Sequence, residues 1–393
     1  MPVPQPSPAI DADFSPLENE PPLRWLRAMR LVPADSLAAG RRALFLALLA
    51  WLPMALWAWL TDRAAGALAD ESLLRHYGIH VRCLVAIPLL VLAEPMVNRA
   101  ARAIASTLAS RAVVSPETRA ALHAVTLSIV RLRDLSLFWV LLIGAALAWS
   151  LVDAPQGDED AMSWSVDAQG AIGFGGWWFA WVSRPIFIAL LLAWVWRVLL
   201  IALWFWRLGR LDLSLVPTHP DRVGGVACVE RLPGAFALVS LALSSVLASR
   251  MAHEILHHGV SFDSYRQTII AFGAAWSLLL LLPLLAIAPA LRKPRQQALA
   301  AYADLVGLQG ALVHRRWIEG RPVADEPLLD APEIGPVADA AAMYDAVKNM
   351  RSVPIGKVSV AGIVLPLALP LLVVAVLQIP LKDLLLKLSK LLV

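Results

Sequence analysis

Two opposite charges within apolar sequence are the first feature that could do chemistry. Glu94 lies in the apolar run 83–97, and Arg197 lies in the run 186–206. At 1.5 Å per residue, Glu94 is about 18 Å and Arg197 about 17 Å from the predicted outer ends of their helices. Equal depth on antiparallel helices predicts that they are partners. The pair could mark a pathway for an ion, proton or solute, or it could be a structural ion pair.

A second candidate is the sequence His253-Glu254-Ile255-Leu256-His257. On a helix, histidines four residues apart share a face, where they can bind zinc while the glutamate activates a bound water. This five-residue stretch resembles the zinc metalloprotease helix. His258 and Gly259 follow it, where such helices usually continue with an apolar residue. A polar helix end is the leading interpretation, and a zinc site with ligands His253 and His257 and catalytic Glu254 is the alternative.

The third candidate is the loop VPTHPDRVGG at 216–225. Its His-Pro-Asp tripeptide matches the loop of J-domain co-chaperones, but a J-domain needs a soluble helical hairpin and the neighbours here are apolar runs. A tight loop is the better interpretation, because prolines stiffen the chain and glycines supply unusual backbone angles. Asp221 can cap the next turn or pair with Arg222. The candidate residues of this loop are His219, Asp221, Arg222, Gly224 and Gly225.

The composition indicates an integral membrane protein. Hydrophobic residues make up 59% of the chain, charged residues only 16%, and the mean hydropathy is +0.66. These values lie outside the range of soluble domains. The net charge of +4 could suggest nucleic acid, but the arginines cluster beside apolar runs, where they act as orientation signals. The predicted partner is therefore the lipid bilayer and not nucleic acid.

The apolar runs predict an all-α bundle of six or seven transmembrane helices. The stretch 175–210 contains seven of the chain's 16 tryptophans, with aromatic belts at both ends of its span. Ser240, Ser244 and Ala248 recur at four-residue steps, which predicts a small-residue packing face. The predicted spans are 43–60, 83–97, 135–152, 186–206, 234–253, 268–290 and 358–378.

The remaining segments are expected outside the bilayer. We expect residues 1–40 to be disordered or to lie at the membrane surface, and the bundle to occupy 41–290. Segment 98–134 is predicted to form a cytosolic helical hairpin, and 291–357 a cytosolic helical segment. The tail 379–393 has a lysine-bearing face and is predicted to be an amphipathic helix.

Charge asymmetry predicts the orientation. The loop 153–173 contains five acidic residues and no basic ones, whereas the loops on the other side are rich in arginine. Positive-inside counting therefore places the amino terminus and the hairpin in the cytosol. Seven spans would put the lysine-bearing tail outside, against this rule. The segment 358–378 contains Pro366 and Pro370, and a re-entrant path there would keep the tail in the cytosol.

Four runs together resemble a set of bacterial polytopic membrane proteins that carry no assigned activity. The runs are HVRCLVAIPLLVLAEP, RLGRLDLSLVPTHPDRVGG, LLDAPEIGPVADAAAMYDAVKNMRSVPIG and IPLKDLLLKLSKLLV. The second contains the HPDRxGG loop. The resemblance implies a multi-pass protein of the bacterial inner membrane, and it implies no catalytic role.

These observations favour a non-enzymatic function. The leading hypothesis is a channel, transporter-like or scaffold protein with Glu94 and Arg197 at a buried polar centre and no cofactor. One alternative is a membrane metallohydrolase with zinc at 253–257. Another is a membrane sensor that binds a cytosolic protein through the hairpin 98–134 or the segment 291–357.

Overall fold

The computed structural model describes residues 20–28, 37–64, 72–110, 116–152, 163–165, 171–323 and 335–378. These residues fold as helices and connecting loops. Residues 1–19, most of the acidic loop, the linker 324–334 and the predicted amphipathic tail 379–393 lie outside the described residues.

The helices are numbered here in chain order. Their bounds are α1 Pro21–Ala28, α2 Ala39–Leu60, α3 Tyr77–His80, α4 Ile87–Ser110, α5 Pro116–Arg133, α6 Ser136–Val152, α7 Phe174–Trp178, α8 Arg184–Leu208, α9 Leu232–Ala235, α10 Ala237–His258, α11 Arg266–Val313, α12 Gly335–Lys348 and α13 Lys357–Gln378. A π-helical segment, Val81–Ala86, joins α3 to α4, and another, Phe179–Ser183, joins α7 to α8.

Six helices among the described residues are long and apolar enough to cross a membrane. They are Ala39–Leu60, Tyr77–Ala109, Phe174–Leu208, Ala227–His258, Phe262–Ile318 and Lys357–Val376. The predicted all-α class is confirmed, and six apolar helices of membrane length agree with the predicted multi-pass bundle. The predicted span 135–152 corresponds to α6, which reaches the required length only together with α5, across a bend of 44°. Counting that bent pair gives up to seven spans.

Helix α8 forms the centre of the bundle. It packs against α4, α5, α6 and α11, and α10 packs between α4 and α13. Trp194, Trp204 and Phe205 of α8 are fully buried. Because aromatic side chains bury large apolar areas and α8 between its ends is apolar on every face apart from Arg197, this helix is held among its neighbours and not at the edge.

Helices α10 and α13 are in close contact. Ser240, Ser244 and Ala248 are buried on α10, and the Ser244 hydroxyl donates a hydrogen bond to the carbonyl of Leu367 on α13. A Cβ added to Gly362 of α13 would lie 2.8 Å from the Cα of Gly234. Gly234 lies in α9, directly before α10, so small residues allow α13 to approach both α9 and α10 closely, as expected for helices packed in a membrane.

Helix α11 is longer than a membrane span. Its 48 residues correspond to about 72 Å at 1.5 Å per residue, against a hydrocarbon thickness of about 30 Å. Its carboxyl half packs against α12, and Arg295 donates hydrogen bonds to the carbonyls of Met350 and Lys348. The part of α11 beyond its apolar run is thereby fixed to the segment before α13.

Candidate functional site

Four buried charged residues form one cluster, called here the charged centre. They are Glu20, Arg42, Glu94 and Arg197. Their exposed fractions are 2%, 9%, 2% and 5%, respectively. The cluster contains two cations and two anions. Burial of charge in such a place is costly unless the charges are paired, and here they balance.

Arg197 binds both carboxylates. Its Nη2 atom lies 3.0 Å from Oε1 of Glu94, so the two residues that the sequence predicts as partners are in direct contact. The same Nη2 atom donates to Oε2 of Glu20 at 2.7 Å, and Nε donates to Oε1 of Glu20 at 3.1 Å. One edge of the guanidinium therefore holds the Glu20 carboxylate through two nearly parallel hydrogen bonds, the strong arrangement for this pair of groups.

Arg42 binds the other side of Glu94. Its Nη1 atom lies 2.5 Å from Oε2 of Glu94, and its Nη2 atom lies 3.3 Å from Oε1. Glu94 is thus shared between arginines of α2 and α8. This sharing links three spanning helices through one carboxylate.

Helix α8 orients Arg197 through Trp194. Residues three apart lie on the same helical face, and the Arg197 guanidinium carbon is 4.8 Å from the centre of the Trp194 ring. The Trp194 indole N–H donates to the carbonyl of Leu90, at 3.1 Å, one helical turn before Glu94 on α4. This hydrogen bond sets the register of α8 against α4, so that Arg197 meets Glu94.

The charged centre has more hydrogen-bond donors than its carboxylates satisfy. Two guanidinium groups present about ten N–H donors, against about eight lone-pair positions on two carboxylates. The buried Nη1 of Arg197 and the buried Nε of Arg42 have no hydrogen-bond partner in the part of the chain that the structure describes. Buried donors without partners are uncommon in folded proteins, and a bound water or ion is one explanation for them.

The sequence indicated only half of this cluster. Arg42 has the pattern of a basic residue flanking a span, which is also the pattern of an orientation signal. Glu20 lies in segment 1–40, which was predicted to be disordered or interfacial, and no periodicity marks it as buried. The only available signal was the buried cation itself, since Arg197 requires balancing charge.

The residues of the His-Glu-x-x-His stretch lie at the end of α10, beside α3. The rings of His253 and His257 are 4.7 Å apart, and His76 stacks on His253 at 5.9 Å. Tyr77 stacks on His257 at 6.0 Å. Among the described residues, no group of three or more His, Cys, Asp or Glu side chains is arranged to hold a metal ion. The histidines and Tyr77 form a cluster of packed rings, and the zinc site stays a prediction.

The loop at 216–225 is organised by Asp221. Its carboxylate accepts hydrogen bonds from the backbone N–H groups of Val223, Gly225 and Ala227, at 2.9 to 3.1 Å. Partial burial raises the pKa of Asp221, but these three donors and His219 outweigh it and hold the pKa below its usual value. The Asp221 side chain thus caps the turn, which is one of the two roles that the sequence suggested.

Three residues of this loop have positive φ angles. The φ angles of Arg222, Gly224 and Gly225 are 61°, 70° and 98°. Such angles are easily adopted by glycine and strained for other residues. The arrangement explains why two glycines follow Arg222.

The loop binds the segment that enters α13. The N–H of Arg351 donates to the carbonyl of Arg222 at 2.7 Å, and the Arg351 guanidinium lies 2.6 Å from Oε1 of Glu230. The Ser359 hydroxyl donates to the Glu230 carbonyl. Residues 222 and 351, from two of the sequence runs quoted above, therefore meet in one junction, which fixes the start of α13 to the connection between α8 and α9.

No protein-family model matches this sequence, and neither a curated protein nor a solved structure shows significant similarity to it.

Proposed function

We propose that this protein is a channel- or transporter-like multi-pass membrane protein whose charged centre is a binding point for small anions. The observation that carries the proposal is the excess of buried arginine donors at that centre. Intramembrane charges that face the interior of a bundle usually belong to an ion or solute pathway. Two arginines with spare donors give such a pathway a preference for anions.

A purely structural ion pair would need fewer groups. Arg197 and Glu94 alone are oppositely charged and in contact. The centre adds a second arginine from α2 and a second carboxylate from before α1. This additional pair raises the desolvation cost without being needed to balance the first pair, which favours a role beyond holding two helices in register.

The arrangement corresponds to a closed conformation in this proposal. All four charged side chains are buried, so a permeating anion requires movement of at least one of them. Glu20 is the one of the four that does not itself belong to a spanning helix, because it precedes the short helix α1. The expected motion is therefore at the amino-terminal side of the centre.

A membrane scaffold is the second candidate. It is favoured by the length of α11, which extends well beyond a span and packs against α12. A scaffold would use the charged centre only to fix α2, α4 and α8, and it would carry no flux. A measurement of anion flux therefore distinguishes the two candidates.

The test is anion flux into liposomes that contain the purified protein. We expect wild-type protein to conduct at least one anion of a panel of chloride, nitrate, acetate and phosphate above protein-free liposomes. Arg197→Lys, which keeps the charge and loses the two-pronged geometry, should reduce that flux at least tenfold. Arg231→Lys is the matched control, since Arg231 is exposed and lies outside the charged centre. Absence of wild-type flux for every anion would reject transport and leave the scaffold.

A further inference from the structure

Glu20 occupies the charged centre as a ligand would. Its carboxylate lies against one edge of the Arg197 guanidinium, with contacts of 2.7 and 3.1 Å, and it is almost completely buried. This is the geometry in which proteins recognise free carboxylates. The residue that provides it belongs to none of the membrane-length helices.

Glu20 is attached to the bundle through one short helix. It is followed by the eight-residue helix α1, in which Pro21 and Leu23 are buried. Arg24 reaches the carbonyl of Asp134 at 3.5 Å, and Trp25 is exposed. A single buried turn can leave a bundle without disturbing the contacts among spanning helices. Segments that detach locally in this way are among the least stable parts of a fold.

Withdrawal of Glu20 would leave the charged centre with one uncompensated positive charge. Arg42, Glu94 and Arg197 together carry one positive charge, and the Arg197 Nη1 atom is already without a described partner. An uncompensated buried arginine is strongly unfavourable, so the site would take up an anion. Because the site has one surplus positive charge beside Glu94, it favours an anion with a single negative charge over one with two.

We propose that Glu20 is the built-in occupant of a monocarboxylate-binding site on Arg197, and that a small free carboxylate replaces it when α1 withdraws. The proposal rests on the proposed function, because it names the class of anion that the charged centre takes. A planar carboxylate reproduces both hydrogen bonds of Glu20 with two separate oxygens, whereas chloride offers one acceptor atom that the two N–H groups would have to share. A doubly charged phosphate would leave an unbalanced charge beside Glu94.

The test is rescue of Glu20→Ala by acetate. This variant removes the built-in carboxylate and leaves space for a free one. We expect acetate to raise its unfolding temperature by about 2 to 4 °C at concentrations well above the dissociation constant, through preferential binding to the folded state. Acetamide, which has the same shape without the charge, and sodium chloride at equal ionic strength should have at most a small effect. The double variant Glu20→Ala/Arg197→Gln should lose the response to acetate.

A second measurement uses the wild-type protein and does not depend on the folding of a variant. Hydrogen exchange of the backbone amides at 20–28 reports whether α1 leaves its place. We expect acetate to accelerate exchange in this segment relative to acetamide, because the two carboxylates compete for Arg197. Unchanged exchange in wild type would overturn the proposal, as would equal rescue of Glu20→Ala by acetate and acetamide.

These outcomes are separate from those of the flux experiment. Acetate-specific rescue without wild-type flux would show a carboxylate site in a protein that does not transport. The opposite outcome is wild-type flux with neither acetate rescue of Glu20→Ala nor a change in hydrogen exchange at 20–28. It would support the proposed function and show that Glu20 does not occupy a carboxylate site.

Discussion

Glu20 and Arg197 are separated by 177 positions in the chain, yet two hydrogen bonds of 2.7 and 3.1 Å join their side chains. The contact connects a segment outside the membrane-length helices to the middle of α8. Since Arg197 also holds Glu94, one guanidinium links the amino-terminal segment to α4 and, through Glu94, to α2. The charged centre is thus a closed electrostatic unit, in which the loss of any member leaves another charge uncompensated.

The first prediction concerns the removal of Arg197. Arg197→Gln leaves Glu20 and Glu94 buried and facing each other, so it should lower the free energy of unfolding by about 3 to 5 kcal/mol. Unfolding in a graded series of detergent or urea, followed by circular dichroism, measures the change. The exposed Arg231→Gln should change the same quantity by about 0.5 kcal/mol or less. Equal effects of the two substitutions would show that the buried arginine is not balanced as described.

The second prediction is coupling between Glu20 and Arg197. Glu20→Gln alone leaves a surplus cation, and Arg197→Gln alone leaves a surplus anion. The double variant removes both, so its loss of stability should be smaller than the sum of the single losses by about 1 to 3 kcal/mol. The full set of four unfolding curves gives this coupling. Additive losses would mean that the two side chains do not interact in the membrane-embedded protein.

The sequence predicted the bundle more completely than the site. Long apolar runs determine where membrane-length helices form, and charge within such a run marks Glu94 and Arg197 because the cost of burial makes each exceptional. Arg42 could not be recognised, since an arginine at the start of a span has the same local pattern whether it faces lipid headgroups or a buried carboxylate. Glu20 could not be found either, because its burial depends on a tertiary contact and not on any periodicity around it.

The histidines of α10 show what a local sequence pattern leaves undetermined. His253 and His257 have the spacing of zinc ligands, and spacing is a property of one helix. Which side chains meet that face depends on packing, and here His76, just before α3, and Tyr77 of α3 stack on the two rings. A local pattern specifies which side chains share a face but does not specify what meets them.

The third prediction is a pH dependence that originates at Asp221. Because its pKa is lower in the folded protein than in the unfolded chain, the ionised carboxylate contributes stability above the unfolded pKa of about 3.9. That contribution is lost as the pH falls through the lower, folded pKa. Asp221→Asn should therefore destabilise the protein at pH 7 and reduce the decline in stability at acid pH. Thermal unfolding between pH 3 and pH 7 measures both effects.

Asp212→Asn provides the control for this experiment, since Asp212 is an exposed carboxylate in the same connection. Its pH profile should follow that of wild type. In Asp221→Asn, an amide N–H₂ group would replace an oxygen that accepts backbone hydrogen bonds, so about 1 to 3 kcal/mol should be lost at neutral pH. An unchanged acid profile in this variant would contradict the assignment of the hydrogen bonds.

The fourth prediction compares two glycines. Gly224 has a φ of 70°, and an added Cβ would lie 3.3 Å from both Leu215 and Met350. Gly224→Ala should therefore destabilise the protein by about 1 to 3 kcal/mol, through backbone strain and crowding. Gly307 lies within α11 with open space around the position of an added Cβ, so Gly307→Ala should stabilise by up to about 1 kcal/mol. Opposite shifts in the unfolding temperature are the expected result.

The fifth prediction uses the asymmetry of a close helix contact. At Gly362 an added Cβ would lie 2.8 Å from the Cα and 2.9 Å from the N of Gly234, and a backbone cannot move aside as a side chain can. At Gly234 itself, an added Cβ would have no atom within 4 Å. Gly362→Ala should therefore separate α13 from its neighbours and cost about 1 to 3 kcal/mol, whereas Gly234→Ala should be close to neutral.

Two measurements check this contact. Unfolding curves give the loss of stability, and hydrogen exchange along α13 locates it, because a displaced α13 also loses the hydrogen bond from Ser244 to the Leu367 carbonyl. Exchange should increase around Leu367 in Gly362→Ala and remain at the wild-type rate in Gly234→Ala. If both substitutions had the same effect, the register of α13 against α9 and α10 would have to differ from the one described. In the described register, Gly362 lies against a backbone and Gly234 lies beside free space.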